Sequence, residues 1–278
     1  MSARPADLDL GWQARLELGF TDIGGSTRLT HRRHHGPLLV QRPFYPEGPV
    51  CHVYLIHPPG GVVGGDRLEL DLVCQPGAHA VVTTPAANKF YRSDGREARQ
   101  RQRLTVAAGA TLEWLPQEQI VFQGARVDAL TRVDLGADAR FIGWETTCLG
   151  RPASGEGFAT GALRQRLELW RDGRPLLLDR LRLSGGGAEL AQAWGLGGAS
   201  VLGTLLAVGA DDAAVARARE VLGDDSGPVA ITRVHDVLVA RYLGHSAEQA
   251  RLVFAALWAV LRPLLIGRDA CEPRIWTT

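Results

Sequence analysis

Three short segments, Pro76-Gly77-Ala78, Ala108-Gly109-Ala110 and Leu135-Gly136-Ala137, constrain this chain more than any other feature. Each joins two strand-like runs, and their glycines are separated by 32 and 27 residues. In these runs apolar and polar residues alternate, the mark of a strand with one buried face. The alternation is seen at Trp12, Ala14, Leu16, Leu18 and Phe20, and at Leu68, Leu70 and Leu72 against Arg67, Glu69 and Asp71. It returns at Val127 to Leu135 and at Leu163 to Leu169. Strand–turn–strand units that recur in this way stack along an axis. The expected fold is mainly β, an unusual layered or β-helical sheet body rather than a closed barrel. Asp172-Gly173, between two further apolar runs, predicts a tight hairpin.

After Gly185-Gly186-Gly187 the texture changes. Asp212 to Leu222 carries Val215, Ala218, Val221 and Leu222 on one helical face. Ser246-Ala247-Glu248-Gln249 reads as a capping box opening a second helix, with Leu252, Val253, Ala256, Leu257, Val260 and Leu261 at helical spacing. Pro263 is expected to end or kink it. Val229 to Tyr242, between the two helices, has strand character. No Pro/Ser-rich linker interrupts the sequence, so residues 1–278 read as one domain.

Lys and Arg total 31 against 30 Asp and Glu, a balance that gives no global field for nucleic acid or an anionic membrane. No window approaches the ~20 apolar residues of a membrane span. Met1 to Leu10 lacks the apolar core of a secretory signal, so a cytoplasmic protein is expected. Cys51, Cys74, Cys148 and Cys271 are widely spaced, which argues for free thiols over structural zinc or disulfides.

The run His57-Pro58-Pro59-Gly60-Gly61-Val62-Val63-Gly64-Gly65-Asp66 demands a particular loop shape, but it is no phosphate cradle. A P-loop needs Lys and Ser/Thr after its last glycine, and Asp66-Arg67 stands there instead. Gly155 to Gly161 precedes a strand-like run rather than the helix that a dinucleotide fingerprint requires. His31, His34 and His35 enclose Arg32 and Arg33, which would compete with a dication. Asp66, Glu113, Glu118 and Glu145 sit among apolar or glycine neighbours, and Glu156 lies in a glycine-rich loop. Carboxylates in such places need a cation, a hydrogen-bond donor or a water-filled cavity. Arg92 and Arg151 could pair with them. The other reading is a polar path for a dication such as Ni²⁺, which carboxylate, water and imidazole all ligate. No nucleophile–base pair emerges.

Ordered segments along nearly the whole chain resemble the urease accessory protein UreD (UreH) family. They are Gly36-Pro37-Leu38-Leu39-Val40-Gln41-Arg42-Pro43-Phe44-Tyr45-Pro46-Glu47-Gly48, the His57 to Asp66 loop, Thr83-Thr84-Pro85 with Lys89-Phe90-Tyr91-Arg92, and Leu112 to Phe122. Leu149-Gly150-Arg151-Pro152-Ala153-Ser154-Gly155-Glu156, Val239-Ala240-Arg241-Tyr242-Leu243-Gly244 and Pro273-Arg274-Ile275-Trp276 complete the set. Asn88 departs from it, standing where a small residue such as Ser or Thr is expected.

The resemblance implies a non-enzymatic assembly factor with a mostly β body and two helices. Such proteins bind the urease apoprotein and, through UreF, the GTPase UreG, and are thought to offer nickel an internal passage. It implies no tightly bound cofactor, only transient Ni²⁺. Asp66, Glu145 and Asp179 match polar family positions and are the first passage candidates, followed by Glu118, Glu156 and His57. The helix Ala247 to Leu261 is a candidate partner surface. Two other classes remain open: a carboxylate-dependent hydrolase using Asp66 and Glu118, and a plain β-solenoid binding module. A conduit must release its ion, so sites of one or two carboxylates plus water are expected.

Overall fold

The computed structural model describes residues 11–223 and 227–277. In chain order the strands begin with β1 (Gln13–Asp22), β2 (Thr27–His35), β3 (Leu39–Val40), β4 (Cys51–Ile56), β5 (Arg67–Cys74) and β6 (His79–Thr83). Next come β7 (Asn88–Phe90), β8 (Ala98–Val106), β9 (Thr111–Leu115), β10 (Gln119–Val121), β11 (Arg126–Leu135) and β12 (Arg140–Leu149). The last are β13 (Ala162–Arg171), β14 (Arg174–Ser184), β15 (Val201–Val208), β16 (Val229–Val234) and β17 (Val237–Gly244). Helices α1 (Ala188–Ala191), α2 (Asp212–Leu222) and α3 (Ala247–Leu265) are interspersed.

The strands form two sheets. The first runs β14-β13-β11-β8-β5-β1-β2 and the second β16-β17-β15-β12-β9-β6-β4-β3, with β10 and β7 attached beside β12. Between β4 and β13 the chain passes back and forth between them. Each return lays a strand parallel to its predecessor, giving the parallel ladders β5-β8-β11-β13 and β4-β6-β9-β12. This is β-solenoid-like stacking, as the repeated strand–turn–strand pattern leads one to expect. Antiparallel partners finish both ends of the main strand order in each sheet: β2 on β1, β14 on β13, β3 on β4 and β16 on β17.

The Gly-Ala segments are the turns of this stack. Ala78 donates to the Gln75 carbonyl and Ala110 to the Ala107 carbonyl, each at 3.0 Å, and Ala139 donates to Gly136 at 3.2 Å. Gly77 and Gly109 hold the left-handed position of the first two turns, with φ of 77° and 68°. In the third that position belongs to Asp138, φ 56°, a residue type that tolerates this region better than most. The equivalent turns are therefore spaced by 32 and 29 residues, two more at the second step than the glycines suggest. Asp172 and Gly173, both at positive φ (48° and 75°), make the β13–β14 hairpin.

Both sequence-predicted helices form. Ser246 Oγ accepts the Gln249 amide at 3.1 Å, and the returning half of the capping box passes through Tyr242. Its hydroxyl lies 3.0 Å from Gln249 Oε1 and 3.4 Å from the Ser246 amide. The face Ala250, Phe254, Leu257, Trp258 and Leu261 is fully buried, while Leu252 and Leu264 are exposed. Pro263, expected to end or kink the helix, does not end it: α3 runs two residues further, to Leu265. Proline removes one donor there. The last turn is held from outside by buried Leu261 and Arg262, and by Arg140 donating to the Ile266 carbonyl at 3.0 Å. None of the helices among the described residues is long and apolar enough to cross a membrane. All four cysteines are free.

Candidate functional site

Inward-facing positions of the first sheet are apolar except at one level. There β8 places Gln100 and Gln102, β11 places Thr131, and β13 places Gln165 on the same face as Leu104, Val133 and Leu167. Across the gap, β12 directs Glu145 and Thr147 at them. The resulting polar layer separates one apolar cluster, containing Leu72, Leu104, Val133 and Phe141, from another containing Leu68, Val127, Leu163 and Phe158.

Hydrogen bonds join Gln102, Thr131, Glu145, Gln165, Thr147 and Gln119 into a chain, with Asn88 and Gln100 as a separate pair. Asn88 Nδ2 donates to Gln100 Oε1 at 2.9 Å. Gln165 Nε2 donates to Glu145 Oε2 at 3.0 Å, and Thr147 Oγ1 donates to Gln165 Oε1 at 2.9 Å. Gln119 Nε2 donates in turn to Thr147 Oγ1 at 2.8 Å. The Thr131 hydroxyl touches both Glu145 Oε1 and Gln102 Oε1, the latter at 2.7 Å. A hydroxyl has one proton and cannot donate to both. A protonated Glu145 that donates to Thr131, which donates to Gln102, satisfies all three groups. Burial acts in the same direction, pushing the Glu145 carboxyl above the ordinary carboxylate range. The Asp179 charge adds to this, against the hydrogen bond donated by Gln165.

Glu145 lies at the meeting point of two cavities. The larger, of about 380 Å³, is bounded by His57 and Gly60 on one side, by Thr84 to Lys89 on another, and by Gln100, Gln102 and Glu145 at its inner end. The smaller, of about 80 Å³, runs from Glu145 and Gln165 to Asp179 and Arg241, which pair at 2.7 Å and are partly exposed. The glycine loop thus forms a cavity wall rather than a phosphate cradle. Its glycines are required sterically. A Cβ on Gly64 would lie 2.8 Å from the Arg96 carbonyl oxygen, and Gly65 has φ of 97°. His57 is half-buried in that wall. Desolvation lowers its pKa against the nearby Asp66 charge, and its Nδ1 is buried without a partner.

Of the six sequence-derived candidates, the structure brings Glu145, Asp179 and His57 to the cavities. Asp66 is buried outside them, its two oxygens accepting the Trp12 and Val63 amides at 2.8 and 2.9 Å, so it shapes the glycine loop. Glu118 lines neither cavity, and its carbonyl receives the Asn88 amide at 3.0 Å. Glu156 is clamped to Arg151, which holds its carboxyl below the ordinary range, and it accepts the Gln123 amide at 3.1 Å. Among the described residues no cluster of three or more His, Cys, Asp or Glu converges as a metal centre. The uncharged members of the polar layer escaped sequence reasoning. Their signal was there: Gln100, Gln102, Thr131 and Gln165 are polar residues at inward positions of a period-two pattern.

Glu113, fully buried on β9, takes Arg262 rather than Arg92 as its partner. Arg262 Nε lies 3.0 Å from it, Trp258 Nε1 2.5 Å and His79 Nε2 2.6 Å. Arg262 also reaches Glu47 at 2.6 Å, and His52 meets the same Glu47 oxygen at 2.7 Å. Burial alone would raise the Glu47 carboxyl, but hydrogen bonds from His52 and Arg262 prevail and hold it at about 2. This network locks α3 to the second sheet and uses no cavity.

Comparison with known proteins places the chain among proteins of one kind. The family model described as UreD urease accessory protein matches residues 13–277. Urease accessory protein UreD of Pseudomonas putida (strain W619) is 50% identical over 270 residues, covering 97% of this chain and 96% of that protein. The proteins of the same name from Azoarcus sp. (strain BH72) and Dechloromonas aromatica (strain RCB) are 49% and 47% identical. Each alignment covers 96% of this chain and 95% of the relative.

Proposed function

The chain belongs to the UreD urease accessory protein family, and we propose that it serves urease maturation as a non-catalytic scaffold in the cytoplasm. In this reading it binds the urease apoprotein and, through UreF, the GTPase UreG. It offers nickel an internal route from the His57–Lys89 wall past Glu145 to Asp179. The observation that carries the reading is a carboxyl, Glu145, held among uncharged hydrogen-bond partners at the junction of two cavities, with no cation beside it among the described residues. Keeping Glu145 ionised there without a cation would cost several kcal/mol, so the group rests neutral until a cation arrives.

Nickel is cargo here. Glu145 and Asp179 supply single carboxylate oxygens, and the amides and hydroxyls around Glu145 can hold the ion's water ligands. An arriving dication displaces the Glu145 proton, so occupancy weakens as pH falls. Asp66, Glu118 and Glu156 act in the walls and loops. The hydrolase alternative loses its proposed pair, because both Asp66 oxygens are taken by backbone amides and Glu118 faces no cavity.

The test is urease activation reconstituted from apo-urease, partners, nickel and GTP, comparing the unmodified chain with Glu145→Ala and Glu156→Ala. Once each variant is shown to form the partner complex, Glu145→Ala is expected to lose at least tenfold in activation rate and Glu156→Ala to retain it. Full activation by Glu145→Ala would remove that residue from the nickel route.

A further inference from the structure

The outward face of the first sheet is crowded with arginine. Helices α2 and α3 pack on each other and on the second sheet, against β12, β15 and β16, whereas on the first sheet the single turn α1 lies against β14. Mostly parallel sheets are normally covered on both faces. In-register pairing sets arginine beside arginine four times on this face: Arg67 by Arg99, Arg103 by Arg132, Arg164 by Arg182, and Arg166 by Arg180. Like charges directly opposite each other destabilise a sheet. The whole chain carries a net charge of only +1, so the concentration is local.

Carboxylates neutralise it only in part: Asp134 holds Arg132 at 2.7 Å and Glu97 holds Arg99 at 3.0 Å. Asp128 alone gathers Arg101, Arg164 at 3.7 Å and Arg166 at 2.9 Å. Arg103 reaches no carboxylate nearer than Asp71, at 3.8 Å, and its side chain is 73% exposed. Arg180 and Arg182 are exposed and have no carboxylate partner among the described residues.

We propose that this face docks a protein partner whose complementary surface is rich in carboxylates. The proposal deepens the scaffold reading above and rests on it. Protein is favoured over nucleic acid because Asp71, Asp134 and Glu168 are interleaved with the arginines. A continuous polyphosphate would be repelled by them, whereas a mixed acidic surface meets them with its own cations. Charge of this kind speeds encounter and makes association sensitive to salt.

The experiment combines Arg103→Glu, Arg180→Glu and Arg182→Glu in the full chain, with a matching Arg→Gln set. The glutamates at positions 180 and 182 fall beside Arg166 and Arg164, while the one at 103 gains Arg132 and loses Asp71, its other in-register neighbour. The gains and the loss offset, so the melting temperature is expected to hold within a few degrees. Affinity is then measured separately for urease apoprotein and for UreF at about 50 and about 300 mM salt, which changes the screening length roughly twofold. The glutamate set is expected to weaken one of the two partners at least tenfold and to remove most of the salt dependence, with a smaller loss for the glutamine set. Unchanged affinity for both partners overturns the surface assignment while leaving the scaffold reading intact. An unmodified chain that binds neither partner overturns the scaffold reading and the surface with it. Tighter binding of duplex DNA than of either protein at the higher salt assigns the face to nucleic acid and overturns the proposal.

Discussion

Arg103 on β8 and Trp144 on β12 both point away from the space between the sheets, one from each sheet. The arginine side chain is 73% exposed, and the tryptophan is 3% exposed beneath α3. The contrast extends along both sheets. Outward positions of the second carry Val81, Ile142, Trp144, Leu205 and Ala240, all buried in the cluster that includes Phe254 and Trp258 of α3. Outward positions of the first carry arginine and carboxylate. The inward faces of both are alike, since inward residues must build the common core whatever lies outside. Parallel stacking is thus specified from within, and the covering of each sheet is decided by residues that play no part in the stacking. A single chain can therefore present one self-sufficient side and one side suited to solvent or a partner.

Three substitutions probe the contrast. The largest effect belongs to the covered side, where Arg262→Ala leaves Glu113 and Glu47 buried without their cation. The expected loss is about 3–5 kcal/mol of unfolding free energy by denaturant titration. A loss no greater than an exposed arginine substitution gives, within about 0.5 kcal/mol, would mean that α3 is not held by this network.

The second effect lies between the sheets and depends on pH. The folded protein raises the Glu145 pKa, so this residue's contribution is present below the ordinary value of 4.5 and is lost as pH rises through the folded value. Glu145→Gln should accordingly raise the melting temperature at pH 7, by a few degrees if the gain is about 1 kcal/mol, with the difference closing below pH 4.5. Glu47 acts with the opposite sign. Its lowered pKa gives stability that is present above 4.5 and lost as pH falls towards about 2. A Glu145→Gln advantage that grew on acidification would contradict the protonated arrangement with Thr131 and Gln102.

The smallest effect belongs to the open side. Arg182→Glu, beside Arg164, should stabilise the fold by about 0.2–1 kcal/mol, because it replaces repulsion with attraction. A loss of more than about 1 kcal/mol would show that Arg182 has a structural duty on that face.

Much of this architecture was legible in the sequence because the signals were local. Leu68, Leu70 and Leu72 announce a strand without reference to any other part of the chain, and Asp172-Gly173 announces its hairpin. The third solenoid turn was misplaced by two residues because Asp138, not a glycine, takes the left-handed position there. Pro263 misled because its cost is offset by Arg140 and Arg262, whose contacts come from 126 and 7 residues away. Within the site, the charged candidates were visible by type, but their sorting was not. Asp66 and Glu145 look alike among apolar neighbours, and only the fold gives one a pair of backbone amides and the other a cavity. The glutamines were overlooked because uncharged polar residues on a strand resemble surface residues until their neighbours across the sheet are known.

A parallel stack has no natural length, since its last strand offers the next one the same row of amides and carbonyls that it received. Here the antiparallel strands at both ends of each sheet's main strand order remove that invitation. β3 has two residues, β2 bears His31, Arg32, Arg33, His34 and His35, and β14 opens on Arg174 and Pro175. Short, charged or proline-bearing edges pair poorly with another chain. The hairpin ends thus work as terminators of polymerisation, and they let a fold built on fibre-like geometry remain a discrete particle.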